Sequence, residues 1–157
     1  GGSGMCPMIW KFYDPNSSYP SNNTSYTSTK DIFLFRLADT YLLAAEAYYK
    51  AGDSQKAAER INKVRERAAL PGHAADMDIK PEQVDIDFIL DERAREMAGE
   101  YNRWMDLKRT GKLIERTLKY NNLAGKINKM DNHILLRPIP QSVIDQTTGD
   151  FKQNTGY

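Results

Sequence analysis

Four aromatic residues near the start of the chain, Trp10, Tyr13, Tyr19 and Tyr26, are the side chains best suited to hold a ligand. A pyranose offers an apolar C–H face to a π surface, and removing both from water is favourable. These four are the candidate ligand-binding residues, with core packing the competing use for Trp10. Further along, Glu92, Glu96 and Glu100 recur every four residues and share one helix face. Two such carboxyls are the parts of a glycosidase. However, Arg93, Arg95 and Arg103 stand within three or four residues of them, and ion pairs at that spacing account for all three. No apolar pocket is suggested that would raise one carboxyl pKa as acid catalysis requires.

Other chemistries have fewer parts. His73 and His133 each lack a His or Cys partner at metal-ligand spacing. The patterns G-x-x-x-x-G-K-[ST], G-x-S-x-G and H-E-x-x-H are absent. The single cysteine, Cys6, excludes an internal disulfide and any cysteine-based zinc cluster, and reads as an ordinary thiol. Between Arg103 and Lys129 basic residues outnumber Asp106 and Glu115, an excess suited to a solvated face or to pairing with the acidic stretch from Asp76 to Asp91. The expectation is a protein with no catalytic residue, no metal and no cofactor.

The elements that must position these residues are helical. From about Ile32 to Ala51, apolar residues at Leu34, Leu37, Ala38, Tyr41, Leu42, Ala45, Tyr48 and Tyr49 recur at three- and four-residue spacing. Gly52 supplies a stop, and Asp53 or Ser54 caps a second helix with Ala57, Ala58, Ile61, Val64 and Ala68 on its buried stripe. So short a connection predicts a hairpin. Small residues at Ala45, Ala47, Ala57 and Ala58 let the two helices approach closely, as in tetratricopeptide-type pairs. Pro81-Glu82 opens a third helix lasting to about Tyr101. A fourth runs from about Arg103 to Leu118, weakened at Gly111, with Trp104 on its stripe. If that ring is fully buried, Trp104→Ala costs about 3–5 kcal/mol. Ile134-Leu135-Leu136 reads as extended, kept so by Pro138 and Pro140, with a short helical turn from Ser142 to Gln146. The fold class is all-α: tetratricopeptide-like helical hairpins with an extended, proline-containing C-terminal segment.

The 157 residues are enough for about one domain. With 22 Lys and Arg against 21 Asp and Glu the net charge is +1, which argues against a nucleic-acid partner. No run approaches the length of apolar sequence that a membrane-spanning helix needs. Residues 1–4, Gly-Gly-Ser-Gly, read as a linker or cloning scar; 5–31 form an aromatic and Ser/Asn-rich loop segment; 32–157 form the helical domain.

Three stretches resemble the SusD/RagB family of nutrient-binding outer-membrane lipoproteins. In "FRLADTYLLAAEAYYKAGDSQKAAERINKVRERA", Arg36, Asp39, Glu46, Ala47, Asn62, Val64, Arg65 and Arg67 match the family's hairpin motif. In "ILDERAREMAGEYNRWMDLKRTGKL", Asp91, Glu92, Arg93, Arg95, Glu96, Glu100, Arg103, Trp104, Asp106, Leu107, Arg109 and Gly111 match its long helix. The ending "LLRPIPQSVIDQTTGDFKQNTGY" is similar to the family's L-x-P-I-P and Q-N-x-G-Y, departing at Val143 and Thr155. The likeness spans roughly Ile32 to Tyr157. It implies a C-terminal portion of a longer, lipid-anchored protein at the surface of the outer membrane. Such a protein binds a glycan or other nutrient without cutting it, working with a TonB-dependent, SusC-like transporter in polysaccharide uptake. A tetratricopeptide-like protein–protein adaptor is the alternative.

Overall fold

The computed structural model describes residues 10–15, 28, 30–126 and 130–157. Among these there are six α-helices joined by 3-10 turns, and no strand. Two compact units are formed, by Gly1–Glu100 and by Tyr101–Tyr157.

The first unit is built on a helical hairpin. Helix α1 covers Leu37–Lys50 and α2 covers Ser54–Ala68. Between them the N–H of Gly52 donates to Tyr49 O at 3.0 Å and that of Asp53 to Tyr48 O at 2.9 Å. These two bonds close α1 with Gly52 in the left-handed region, φ +83°. Asp53 then caps α2 by accepting from the N–H of Lys56 at 3.0 Å. The seam is lined by the expected small and branched residues: Leu42, Ala45, Ala57, Ala58, Ile61 and Val64 are all buried. Tyr41, Tyr48 and Tyr49 pack against its margin. Each fully buried Leu or Ile here contributes roughly 1.5–3 kcal/mol.

The hairpin starts later than its periodicity predicts. Arg36 is extended (φ −149°, ψ 157°), and α1 begins only at Leu37. Leu34 is 81% exposed, and Leu37 and Ala68 also face solvent rather than the seam. The reason lies in Arg36, whose side chain is committed to carboxylates far along the chain and holds its own backbone out of the helix. Past α2, Asn62 clips the following loop: its Nδ2 donates to Ile79 O at 3.1 Å, and the N–H of Ile79 donates to Asn62 Oδ1 at 3.0 Å.

The expected third helix is shorter and divided. A 3-10 turn covers Pro81–Gln83, and α3 covers Ile86–Glu96. Asp85 interrupts them because its carboxylate accepts from the N–H of Phe88 at 2.6 Å, a capping bond incompatible with a continuous helix. Ile89 and Leu90 are buried. The helix does not reach Tyr101, since Gly99 (φ +80°) and Tyr101 itself (φ +63°) both adopt left-handed backbone. Tyr101 is 94% exposed, not on a buried stripe.

In the second unit the predicted fourth helix is two helices, α4 at Arg103–Arg109 and α5 at Leu113–Tyr120. Gly111 (φ +71°) ends α4 with the same pair of bonds seen at Gly52, from Gly111 N to Lys108 O and from Lys112 N to Leu107 O. Trp104 is 40% exposed, so its ring is not fully buried. Ile134 and Leu135 are not extended: they belong to a 3-10 turn, Asn132–Leu135, because Asp131 caps it through the N–H of His133 at 2.9 Å. Extended backbone follows from Leu136 to Pro140, and helix α6 covers Gln141–Gln146. The chain end is tied back onto this segment. Gln153 both donates to Ile139 O (2.8 Å) and accepts from Ile139 N (2.7 Å), while Asn154 Nδ2 donates to Arg137 O at 2.7 Å.

Candidate functional site

The aromatic segment leaves and rejoins the scaffold at a stapled base. Trp10 opens a single 3-10 turn, Trp10–Phe12, and Tyr13 follows it, 39% exposed. Tyr19 and Tyr26 lie outside the described residues. The two ends of the segment meet through Ser28, whose hydroxyl donates to Asp14 Oδ2 at 2.7 Å. Lys30 reaches the same place, donating from Nζ to Lys11 O at 2.9 Å and to Tyr13 O at 3.1 Å. Asp14 is buried, so its end of the Ser28 bond is shielded from competing water, while the Lys30 bonds lie at the surface. Tyr13 therefore stands beside the point where Asp14 and Ser28 meet.

A charge cluster fixes that base to the end of α3. Lys11 Nζ donates to Glu96 O at 2.9 Å and pairs with the Glu100 carboxylate. Arg36 Nε donates to both oxygens of Glu100, at 2.9 and 2.8 Å, and its Nη1 pairs with Glu96. Arg67 from α2 adds a second cation to Glu96 at 2.6 Å. The Phe12 ring lies against Gly99, in space that a side chain at position 99 would occupy. Glu92 is held by Arg65 at 2.8 Å and by Arg95 at 2.7 Å, and Asp39 is held by the buried Arg93 at 2.7 Å.

These pairings decide what the three aligned carboxylates do. Burial opposes the charge of Glu100, but hydrogen bonds from Arg36 and Lys11 outweigh it and hold the carboxyl below its ordinary value. The same exchange acts on Arg36: burial works against its charge, and the bonds to Glu100 and Glu96 more than compensate, raising its pKa. A general acid needs the opposite environment, one that keeps a carboxyl protonated near neutral pH. Glu100 is thus an anchor for cations. No group of three or more His, Cys, Asp and Glu among the described residues is arranged to hold a metal ion.

Spacing identified the shared face of Glu92, Glu96 and Glu100 but not their partners. Glu92–Arg95 is an expected pair within one helix. Arg93 turns instead to Asp39, and Glu96 and Glu100 take Arg36, Arg67 and Lys11 from 29 to 89 residues away in sequence. The one signal pointing to this was that Arg36 and both glutamates fall on motif positions. Lys11, Asp14, Ser28 and Lys30, which hold the aromatic segment, carried no signal at all.

Residues 3–157 match the model of the SusD family. Two SusD-like proteins of Formosa agariphila align with 34% identity over 138 residues and 32% over 158, covering 83% and 96% of this chain but 24% and 30% of their own lengths. The starch-binding protein SusD of Bacteroides thetaiotaomicron is 31% identical over 156 residues, 98% of this chain and 26% of its own. The chain spans about a quarter of the length of the curated relatives it matches. No solved structure matches it significantly.

Proposed function

The chain belongs to the SusD family, and we propose that it serves glycan capture, holding a carbohydrate for uptake without cutting it. In this reading Trp10, Tyr13, Tyr19 and Tyr26 form the aromatic platform, and the sugar's C–H faces stack on their rings. The observation that carries it is the stapled base of the aromatic segment, fixed to α3 through Lys11, Arg36 and Glu100. A binding loop needs such preorganisation, because ordering it on binding would consume affinity. The relative named as starch-binding supports a glucan as the first ligand to try. The whole protein would work at the surface of the outer membrane, lipid-anchored, as the capture partner of a TonB-dependent, SusC-like transporter in polysaccharide utilisation. No helix among the described residues is long and apolar enough to cross a membrane.

The test is a panel of oligosaccharides, maltoheptaose first, read by melting temperature and tryptophan fluorescence. A ligand at 100 times its Kd stabilises the folded state by about 2.7 kcal/mol. A rise in melting temperature that is lost in the Trp10→Ala, Tyr13→Ala double variant supports the reading. No response to any glycan, with retention of a peptide partner instead, overturns it in favour of a protein–protein adaptor.

A further inference from the structure

One concavity within residues 101–157 is lined by polar side chains, several of whose polar atoms make no bond to the described residues. It is an open cavity of about 620 Å³ bounded by Asp131, Asn132, His133, Leu136, Thr155 and Gly156, within the size range of small-molecule sites. Its walls are positioned by specific contacts. Asp131 Oδ1 accepts from the N–H of His133 at 2.9 Å and also pairs with His133 Nδ1. A Cβ on Gly156 would lie 2.6 Å from that of His133, so the closing backbone rests directly on the histidine. The Tyr157 ring meets the imidazole edge-on, with centroids 5.4 Å apart and planes at 67°.

The polar side chains around this cavity divide into two groups. Gln153, Asn154 and Tyr157 spend their polar ends on backbone, the last by donating from its hydroxyl to Leu136 O at 3.0 Å. By contrast, Asp131 Oδ2, the Asn132 amide and the Thr155 hydroxyl make no hydrogen bond among the described residues. Three unspent groups thus line one concavity: a carboxylate acceptor, an amide that both donates and accepts, and a hydroxyl. Leu136 and the imidazole of His133 supply the apolar surface between them.

We infer that this cavity is a second glycan subsite, taking a neutral hexose ring whose hydroxyls bond Asp131, Asn132 and Thr155 while its C–H face meets Leu136 and His133. The inference rests on the glycan-capture reading above. The donor set discriminates against other ligands. Hydrogen bonds from the backbone N–H and then the ring of His133 hold the Asp131 carboxyl below its ordinary value, so it is anionic and repels phosphate or uronate. A hard cation would want more carboxylate oxygens than this cavity offers. A polyol satisfies the carboxylate, amide and hydroxyl together, and its ring covers the apolar wall.

The experiment titrates the whole chain with glucose, maltose, xylose and galacturonate, each to about 50 mM so that any millimolar Kd registers, and reads backbone and side-chain NMR shifts. The expected result is saturable shifts at Asn132, His133, Thr155 and Gly156 with a neutral sugar and none with galacturonate. Asn132→Ala and Thr155→Val, both exposed positions whose side chains make no capping bond, should each weaken this binding at least tenfold. Shifts at Tyr13 without shifts at Asn132 and His133 would overturn this subsite and leave the aromatic platform standing. Silence at both places would overturn both. Shifts here that survive both substitutions, or that galacturonate also produces, would refute the assigned contacts.

Discussion

Glu100 is a carboxylate held by two cations in partly buried surroundings, and its pH response follows from that. Its pKa lies lower folded than unfolded, so the stability it contributes is complete above the unfolded value of about 4.3. That contribution is lost as pH falls through the folded value. Glu100→Gln should therefore cost about 2 kcal/mol at pH 7, as for hydrogen bonds to charged groups, and the difference from the parent should shrink as pH falls through the folded value. Urea titrations across that range measure it; a gap unchanged at low pH would contradict the ion-pair account. Gly99 gives a second prediction. Gly99→Ala must suffer both its left-handed backbone and the Phe12 ring, whereas Gly52→Ala meets only the backbone cost of roughly 1 kcal/mol. The melting temperature should fall further for Gly99→Ala, and Phe12→Ala in the same chain should recover part of the excess. A sequence displays a glycine at position 99, but not that a ring from position 12 lies over it.

At the scale of elements, the α1–α2 hairpin was legible because its determinants are local: spaced alanines, Gly52 and the Asp53 cap lie within one continuous stretch. What local patterning could not reveal was where long-range contacts override it. Arg36 delays the start of α1, Asp85 divides the Pro81–Gln83 turn from α3, and Asp131 winds an apolar segment into a 3-10 turn. Gly111 was recognised as a weak point, yet propensity alone does not distinguish a tolerated glycine from one that terminates a helix. For Trp104, full burial implied a loss of about 3–5 kcal/mol on truncation. Its observed exposure lowers the expectation for Trp104→Ala to about 2 kcal/mol, in proportion to the area removed from water. Chemical unfolding of that variant decides between them.

Among the described residues, one run of exposed apolar side chains leads into α1: Ile32, Leu34, Phe35 (90% exposed) and Leu37 all face solvent. Contiguous apolar patches of this kind drive association. The chain should therefore self-associate as concentration rises, and Leu34→Ser with Phe35→Ser should suppress this in light scattering without lowering the melting temperature. Unchanged scattering would place the sticky surface elsewhere. Composition put forward Trp10, Tyr13, Tyr19 and Tyr26 as candidate ligand residues but could not foresee the lysine, aspartate and serine bonds beside Tyr13.

That tether also bears on how such a protein diversifies. Asp14–Ser28 and the Lys30 bonds join the described residues on either side of positions 16–27, so substitutions between those positions leave these bonds in place. Doubling the length of a flexible loop costs only about 0.6 kcal/mol in closure entropy. Under the glycan-capture proposal, cargo preference is then free to drift by swapping a dozen or so letters, with those bonds inherited unchanged.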